Sequence, residues 1–120
     1  MDLADAYLDG LQQADVDAVL GLLAPGAVFQ SPFRSWRGRF LRSVYVARVA
    51  AFGDLDIDAL IRGAGRAVIL WRATVAGAPV EAAEVLSLSE TAISRVDAYL
   101  RPADMLESVH TAMARAWPTS

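Results

Sequence analysis

Four consecutive strand-like segments fill the second half of the chain, and this pattern constrains the fold more than any other feature. In each segment apolar residues recur at alternate positions, which is the period of a β-strand with one face buried. Turn-forming residues separate the segments at Gly63–Gly65, Gly77–Pro79 and Ser89–Thr91. The pattern predicts an antiparallel meander with strands at Leu55–Arg62, Arg66–Val75, Pro79–Ser89 and Ala92–Arg101.

The first half has helical spacing instead. In residues 2–13, leucines and Tyr7 recur at helical spacing, which predicts a first helix. A second helix is predicted to start at Asp15 and to end at Pro25-Gly26. The remaining predicted elements are a short strand at Ala27–Phe33, a helix at Phe40–Phe52 and a last helix at Pro102–Ala116. Helices followed by a meander indicate an α+β fold with helices on one face of a sheet. The length of 120 residues suits a single domain over residues 1–120.

Composition excludes several functional classes. The net charge of −3 argues against a nucleic-acid partner. The absence of cysteine excludes disulfides and thiolate metal sites, and a single histidine excludes a multi-histidine site within one chain. We therefore expect no metal and no cofactor.

No segment of the sequence points to a membrane or to export. The acidic start of the chain does not resemble a secretory signal, and the longest apolar run, Ala67–Trp71, is too short for a membrane span. We expect a cytoplasmic protein with no membrane partner. The mean hydropathy of +0.34 is nevertheless high for a small domain, which predicts a ligand cavity, a subunit interface, or both.

Strand alternation identifies polar side chains that should face the interior. In the segment Val80–Leu88, Glu84 is the single polar residue on an otherwise apolar face. Desolvation there should raise the pKa of its carboxyl group and make it a proton donor near neutral pH. Alternatively, Glu84 is paired with a buried arginine such as Arg72, or it reaches solvent at a strand end. By the same argument Tyr7 and Ser31 should also point inward.

The apolar strand faces predict a pocket for a small hydrophobic molecule that carries an oxygen atom. Tyr7 and a protonated Glu84 would donate hydrogen bonds to that oxygen. Trp36 is a candidate lid, or else packs against the third helix. The predicted walls are Phe29, Phe33, Ile69, Trp71, Ala73, Val96, Ala98 and Leu100.

Short phrases along nearly the whole chain resemble the nuclear-transport-factor-2-like superfamily. They are Ala14–Val19, Ala24–Pro32, Trp36–Arg39, Trp71–Thr74, Glu84–Leu88 and Tyr99–Pro102. The resemblance implies a cone-shaped, curved antiparallel sheet with three to four helices, a cystatin-like α+β barrel. The superfamily includes ketosteroid isomerases, limonene epoxide hydrolase and SnoaL-like polyketide cyclases, so the fold alone does not define the reaction.

The resemblance to ketosteroid isomerases implies catalytic roles for three residues. Tyr7 matches the tyrosine that donates to the substrate oxyanion, and Glu84 matches the protonated acid beside it. Ser31 stands where these enzymes have the aspartate that moves the proton. Serine cannot take that proton without an activating base, so the usual isomerisation route lacks its base here.

Two surface features have open interpretations. Arg34, Arg37, Arg39 and Arg42 surround Trp36, which suits either an anion site at a pocket mouth or a solvated loop. The lone His110 is interpreted as a surface or interface residue. The outward sheet face is the predicted homodimer surface; it carries Arg72, Glu81, Ala83, Val85, Asp97 and Tyr99.

Two functional hypotheses follow. The first is an acid-assisted isomerase, cyclase, dehydratase or epoxide-opening enzyme without a cofactor. The second is a non-catalytic ligand-binding or dimerisation module of the same fold. An ionised Glu84 paired with arginine would favour the second hypothesis, and a raised pKa would favour the first.

Overall fold

The computed structural model describes residues 2–118. Two short helices open it, α1 (Leu3–Gln12) and α2 (Val16–Leu20). Each begins at an aspartate whose side chain accepts a backbone N–H of the first turn, Asp2 for α1 and Asp15 for α2. The two helices are in close contact at Gly10 of α1. A Cβ at this position would lie only 2.7 Å from Val19 Cγ2 of α2, so the contact depends on a residue without a side chain.

The first strand starts earlier than the sequence predicted. β1 spans Leu23–Gln30, so Pro25-Gly26 lies inside a strand and does not end a helix. The N–H of Ile93 donates to the carbonyl of Leu22 at 2.8 Å, which draws the chain into the sheet directly after α2. Pairing is irregular between Leu23 and Val28, and this is where the sheet tolerates a proline without an N–H.

The remaining elements agree with the predicted order, with one addition. A short strand, β2 (Ser35–Arg37), pairs with β1 and was not predicted. After it come α3 (Phe40–Ala51), the long strands β3 (Gly53–Gly63), β4 (Arg66–Val75), β5 (Ala78–Leu88) and β6 (Ile93–Arg101), a 3-10 turn (Ala103–Met105) and α4 (Leu106–Ala116). The predicted α+β class is confirmed.

The six strands form one curved sheet in the order β2-β1-β6-β5-β4-β3. All neighbouring pairs are antiparallel except β1 and β6, which run parallel. The predicted meander of β3 to β6 is antiparallel, whereas the parallel pairing of β1 with β6 departs from the antiparallel sheet that the resemblance implied. The two strands are far apart in the chain and no hairpin joins them, so no turn sets them antiparallel.

One face of the sheet carries the core. The alternation predicted for β4 holds, with Ala67, Ile69, Trp71, Ala73 and Val75 all buried. The helices cover this inner face; the buried residues they add to the core include Tyr7, Val44 and Val109. Within residues 2–118, no helix is long and apolar enough to cross a membrane.

Candidate functional site

A buried polar cluster lies between the helices and the inner face of the sheet. At its centre is Glu84, whose side chain is 0% exposed. Its Oε1 accepts from the Tyr7 hydroxyl at 2.7 Å and from Arg48 Nη1 at 2.9 Å. Its Oε2 accepts from Arg48 Nη2 at 2.6 Å and from Trp71 Nε1 at 2.5 Å. The carboxylate is thus fully hydrogen-bonded by four donors from α1, α3 and β4.

The directions of the hydrogen bonds made by the two tyrosine hydroxyls can be assigned. Since Tyr7 donates its single proton to Glu84, the proton between the two tyrosines, which are 2.7 Å apart, comes from Tyr45. The Tyr7 oxygen also accepts from Arg48 Nη1 at 3.2 Å. Within residues 2–118, no fully buried side-chain nitrogen or oxygen atom lacks a hydrogen-bond partner, which reduces the cost of burying the cluster.

The cluster holds Glu84 as a carboxylate. Burial alone would raise the pKa of Glu84, but the charge of Arg48 and the hydrogen bonds from Arg48, Tyr7 and Trp71 lower it below its ordinary value. The predicted raised pKa is therefore wrong. Burial favours the neutral form of Arg48 as well, but the Glu84 charge outweighs this effect and raises the pKa of the guanidinium. Burial also raises the pKa of both tyrosines.

The arginine that pairs with Glu84 was not identified from the sequence. Arg72 lies on the opposite face of the sheet, where it is exposed and bonds Asp56 and Asp58. The signal for Arg48 was nevertheless present. It continues the buried stripe of α3, which is formed by Leu41, Val44, Tyr45 and Arg48. An arginine on an apolar stripe indicates a buried anionic partner.

A pocket of about 410 Å³ opens beside this cluster, bounded by the sheet, α3, α4 and the loop before β2. Arg48 and Trp71 belong both to the pocket wall and to the cluster, so they separate the pocket from Glu84. Neither Tyr7 nor Glu84 lines the pocket; both are 0% exposed behind that wall.

Five predicted wall residues and the candidate lid do line the pocket: Phe29, Phe33, Trp71, Ala98 and Leu100, with Trp36. The other three, Ile69, Ala73 and Val96, are buried in the core and do not line it. Helix α4 supplies lining residues that the sequence did not reveal, namely Val109, His110, Met113 and Ala114, followed by Trp117. The sequence predicted which face of each strand points inward. It did not predict which part of that inner face the helices leave uncovered to form the pocket.

Ser31 lines the pocket, but its hydroxyl is occupied in a turn. The oxygen accepts from the backbone N–H groups of Phe33 and Arg34, each at 3.1 Å. The hydroxyl proton is donated to the Arg34 carbonyl, also at 3.1 Å. These bonds fix the loop between β1 and β2, so in this structure Ser31 shapes the pocket entrance and does not present a free hydroxyl.

The pocket mouth combines aromatic and cationic groups. Arg34 stacks over the Trp36 ring at 4.1 Å, and Trp36 packs against Trp117 with ring centroids 4.6 Å apart. His110 lies on the other side, its ring 5.1 Å from that of Phe33. His110 is exposed, as the sequence indicated, but it also belongs to the pocket wall.

Comparison with known proteins supplies the family. The model of the SnoaL-like domain matches residues 4–98, which is most of the chain. The chain belongs to the SnoaL-like domain family. Among curated protein sequences the comparison finds no match.

Solved structures share the fold of this SnoaL-like domain. A steroid delta-isomerase from Pseudomonas aeruginosa superposes with a TM-score of 0.84 at 20% identity, covering 96% of this chain and 91% of that one. A protein with a cystatin-like fold from Silicibacter pomeroyi gives 0.83 at 15% identity, covering 94% and 83%. A de novo designed protein with a curved β-sheet gives 0.78 at 9% identity, covering 94% and 93%. Because a designed chain reaches the same architecture, the architecture does not define a reaction.

Proposed function

We propose that this SnoaL-like domain binds a small, largely apolar molecule that carries a neutral oxygen, in the pocket between the sheet, α3 and α4. The observation that supports this most directly is a pocket of about 410 Å³ with aromatic and aliphatic walls and few polar groups, one of them Arg48. Ligand sites in proteins have this character, apolar walls with a small number of placed donors.

Arg48 is the proposed donor to the ligand oxygen. A guanidinium has five N–H groups, of which Arg48 uses two on Glu84 oxygens and one on Tyr7. Within residues 2–118, its Nε–H and the second N–H of Nη2 have no hydrogen-bond partner, and these two groups form a side-on fork. Because Glu84 already cancels the charge of Arg48, this position suits a carbonyl or hydroxyl oxygen better than an anion.

The sequence analysis expected Tyr7 and Glu84 to donate to the ligand oxygen, whereas this proposal assigns that role to Arg48. Tyr7 and Glu84 hold Arg48 in place and lie behind it, whereas Arg48 itself reaches the pocket. The same ionised pair favours the binding hypothesis over acid catalysis by Glu84.

A neutral fluorescent probe, phenylnaphthylamine, tests the binding proposal. We expect saturable fluorescence enhancement with the wild type and its loss in Ala98→Phe, since the added ring would occupy the pocket beside Leu100. Ala18→Phe adds the same bulk on the exposed surface of α2 and serves as the matched control. No saturable binding, or equal binding by Ala98→Phe and wild type, would overturn the proposal.

Isomerase- or cyclase-type chemistry is the second candidate, and the position of His110 favours it. Among the described residues that line the pocket, His110 carries the one imidazole, the side-chain type that most often moves protons in catalysis. Arg48 would polarise a carbonyl while His110 moves a proton on the neighbouring carbon. A β,γ-unsaturated ketosteroid provides the test, because its isomerisation produces a conjugated enone with strong ultraviolet absorbance. Activity that is absent, or unchanged in His110→Gln, would count against this candidate.

We also propose that two copies of the chain meet through the outer face of the sheet. Paired strands present Ala83 beside Tyr99 and Val85 beside Asp97 on this face, and Tyr99 is 61% exposed. Charges of both signs flank these residues, Arg72 and Glu81 among them, which permits a self-complementary contact. Sedimentation should show a dimer that Tyr99→Glu weakens; a monomer at all concentrations would exclude it.

A further inference from the structure

The segment that contains the pocket mouth is rich in arginine, although the chain as a whole is acidic. Between Ala18 and Gly53 there is no aspartate or glutamate. The same stretch contains five of the eleven arginines: Arg34, Arg37, Arg39, Arg42 and Arg48. This asymmetry is not explained by the binding of a neutral molecule.

The structure separates these arginines by role. Arg42 pairs with Asp17, and Arg48 pairs with Glu84. Arg37 stands opposite Val28, on the face of the sheet away from the pocket, since the adjacent pair of Trp36 with Phe29 faces inward. Two arginines remain at the mouth.

Those two, Arg34 and Arg39, rest on aromatic rings. Arg34 stacks on Trp36, and Arg39 lies over the Phe40 ring at 5.2 Å, with the two rings 6.2 Å apart. Within residues 2–118 neither has an acidic side chain within salt-bridge distance. Two unneutralised guanidinium groups on a flat aromatic surface can receive an anion from solution.

Arg34 is also held in position before any ligand arrives. Its backbone is fixed by the turn that Ser31 closes, and its guanidinium is held by the Trp36 ring. Arg34 lines the pocket itself, so its charge borders the apolar volume. A group held in this way loses little conformational freedom on binding.

We propose that the ligand of this pocket is an amphipathic anion, with its apolar body in the pocket and its carboxylate at the mouth on Arg34. This inference rests on the proposed binding function and adds the ligand class and its orientation. The neutralised Arg48 would face the apolar body or a neutral oxygen at the other end. Arg39 would add to the positive potential without lining the pocket.

The test uses two competitors that differ only in the end group, decanoate and decanol, each displacing phenylnaphthylamine. Arg34→Gln should weaken displacement by decanoate roughly threefold to tenfold and leave decanol unchanged. Arg66→Gln is the matched control, because Arg66 is exposed, has no ion pair within the described residues and lies away from this pocket. Added salt should weaken decanoate selectively.

The outcomes separate this inference from the function on which it rests. If Arg34→Gln weakens both competitors equally, Arg34 only shapes the mouth and the anion proposal is wrong. If Arg34→Gln and Arg66→Gln weaken decanoate equally, the effect is one of overall charge and the proposal is again wrong. If phenylnaphthylamine binding survives Ala98→Phe, the pocket itself is not the binding site, and both proposals fail.

Discussion

Replacing Arg48 by methionine tests the central claim that the buried cluster is an ion pair. Methionine keeps most of the packing volume of the arginine stem but removes the charge and three hydrogen bonds to Glu84 and Tyr7. Glu84 would keep only the donors from Tyr7 and Trp71. Breaking a buried pair by removing one partner costs about 3–5 kcal/mol, because the other charge stays buried. That is a large share of the roughly 5–15 kcal/mol that stabilises a domain.

The cost of Arg48→Met should depend on pH with a defined sign. In the wild type the folded pKa of Glu84 is lowered, so its contribution to stability is present above its ordinary pKa of 4.5 and is lost as pH falls through the folded value. Without Arg48, burial should raise the folded pKa above 4.5. The variant then loses stability as pH rises from the ordinary value through the raised one. The difference between wild type and variant should therefore be larger at neutral than at acid pH.

Urea unfolding at neutral and mildly acid pH, followed by tryptophan fluorescence, measures these differences. The double variant Arg48→Met/Glu84→Gln supplies the control, since glutamine removes the buried charge. Its one amide oxygen can accept from Trp71, and its NH2 group can donate to the Tyr7 oxygen. It should be more stable at neutral pH than Arg48→Met alone. A cost below about 1 kcal/mol, or one independent of pH and not relieved by Glu84→Gln, would refute the reasoning.

Two further predictions concern the tyrosines of the cluster, and a third concerns the contact between α1 and α2. Tyr7→Phe should cost about 1–3 kcal/mol and Tyr45→Phe less, because within residues 2–118 the Tyr7 hydroxyl bonds three groups and the Tyr45 hydroxyl one. Urea unfolding compares the two variants, and the reverse order would contradict this ranking. Since burial raises the pKa of both tyrosines, neither should ionise at a pH of about 11 while the chain is folded, and tyrosinate absorbance alongside circular dichroism checks this. Gly10→Ala should destabilise by about 1–3 kcal/mol despite its better helix propensity, since its Cβ would lie 2.7 Å from Val19; thermal unfolding measures the loss, which Gly10→Ala/Val19→Ala should reduce.

The features that the sequence predicted most accurately are those that depend on local periodicity. The inner faces of β4 and β5, the inward position of Glu84 and the buried ring of Tyr7 all follow from alternation or helical spacing, and the structure agrees. The start of β1 was predicted wrongly because Pro25-Gly26 is a strong turn signal. What keeps that segment in the sheet is its pairing with β6, a contact between residues far apart in the chain.

The ionisation of Glu84 could not be predicted from periodicity, because it also depends on a contact between residues far apart in the chain. A pattern along β5 can show that the carboxyl is buried, but its pKa depends on Arg48, which lies 36 residues away in α3. Burial and the partner charge act in opposite directions, so a prediction that includes only burial gives the wrong sign. The apolar stripe of α3 marks Arg48 as buried, and combining the two positions would have predicted the pair.

The paired state of Glu84 also changes which group in this SnoaL-like domain can serve as a hydrogen-bond donor. The Arg48 charge and the hydrogen bonds from Arg48, Tyr7 and Trp71 lower the pKa of Glu84, so its carboxyl group is ionised at neutral pH. An ionised carboxylate only accepts hydrogen bonds and has no proton to donate to a ligand oxygen. The N–H groups of Arg48 are donors at every relevant pH, since the guanidinium stays charged. Under the proposed binding function, the hydrogen-bond donor in this pocket is therefore Arg48, with Glu84 and Tyr7 as the residues that position it.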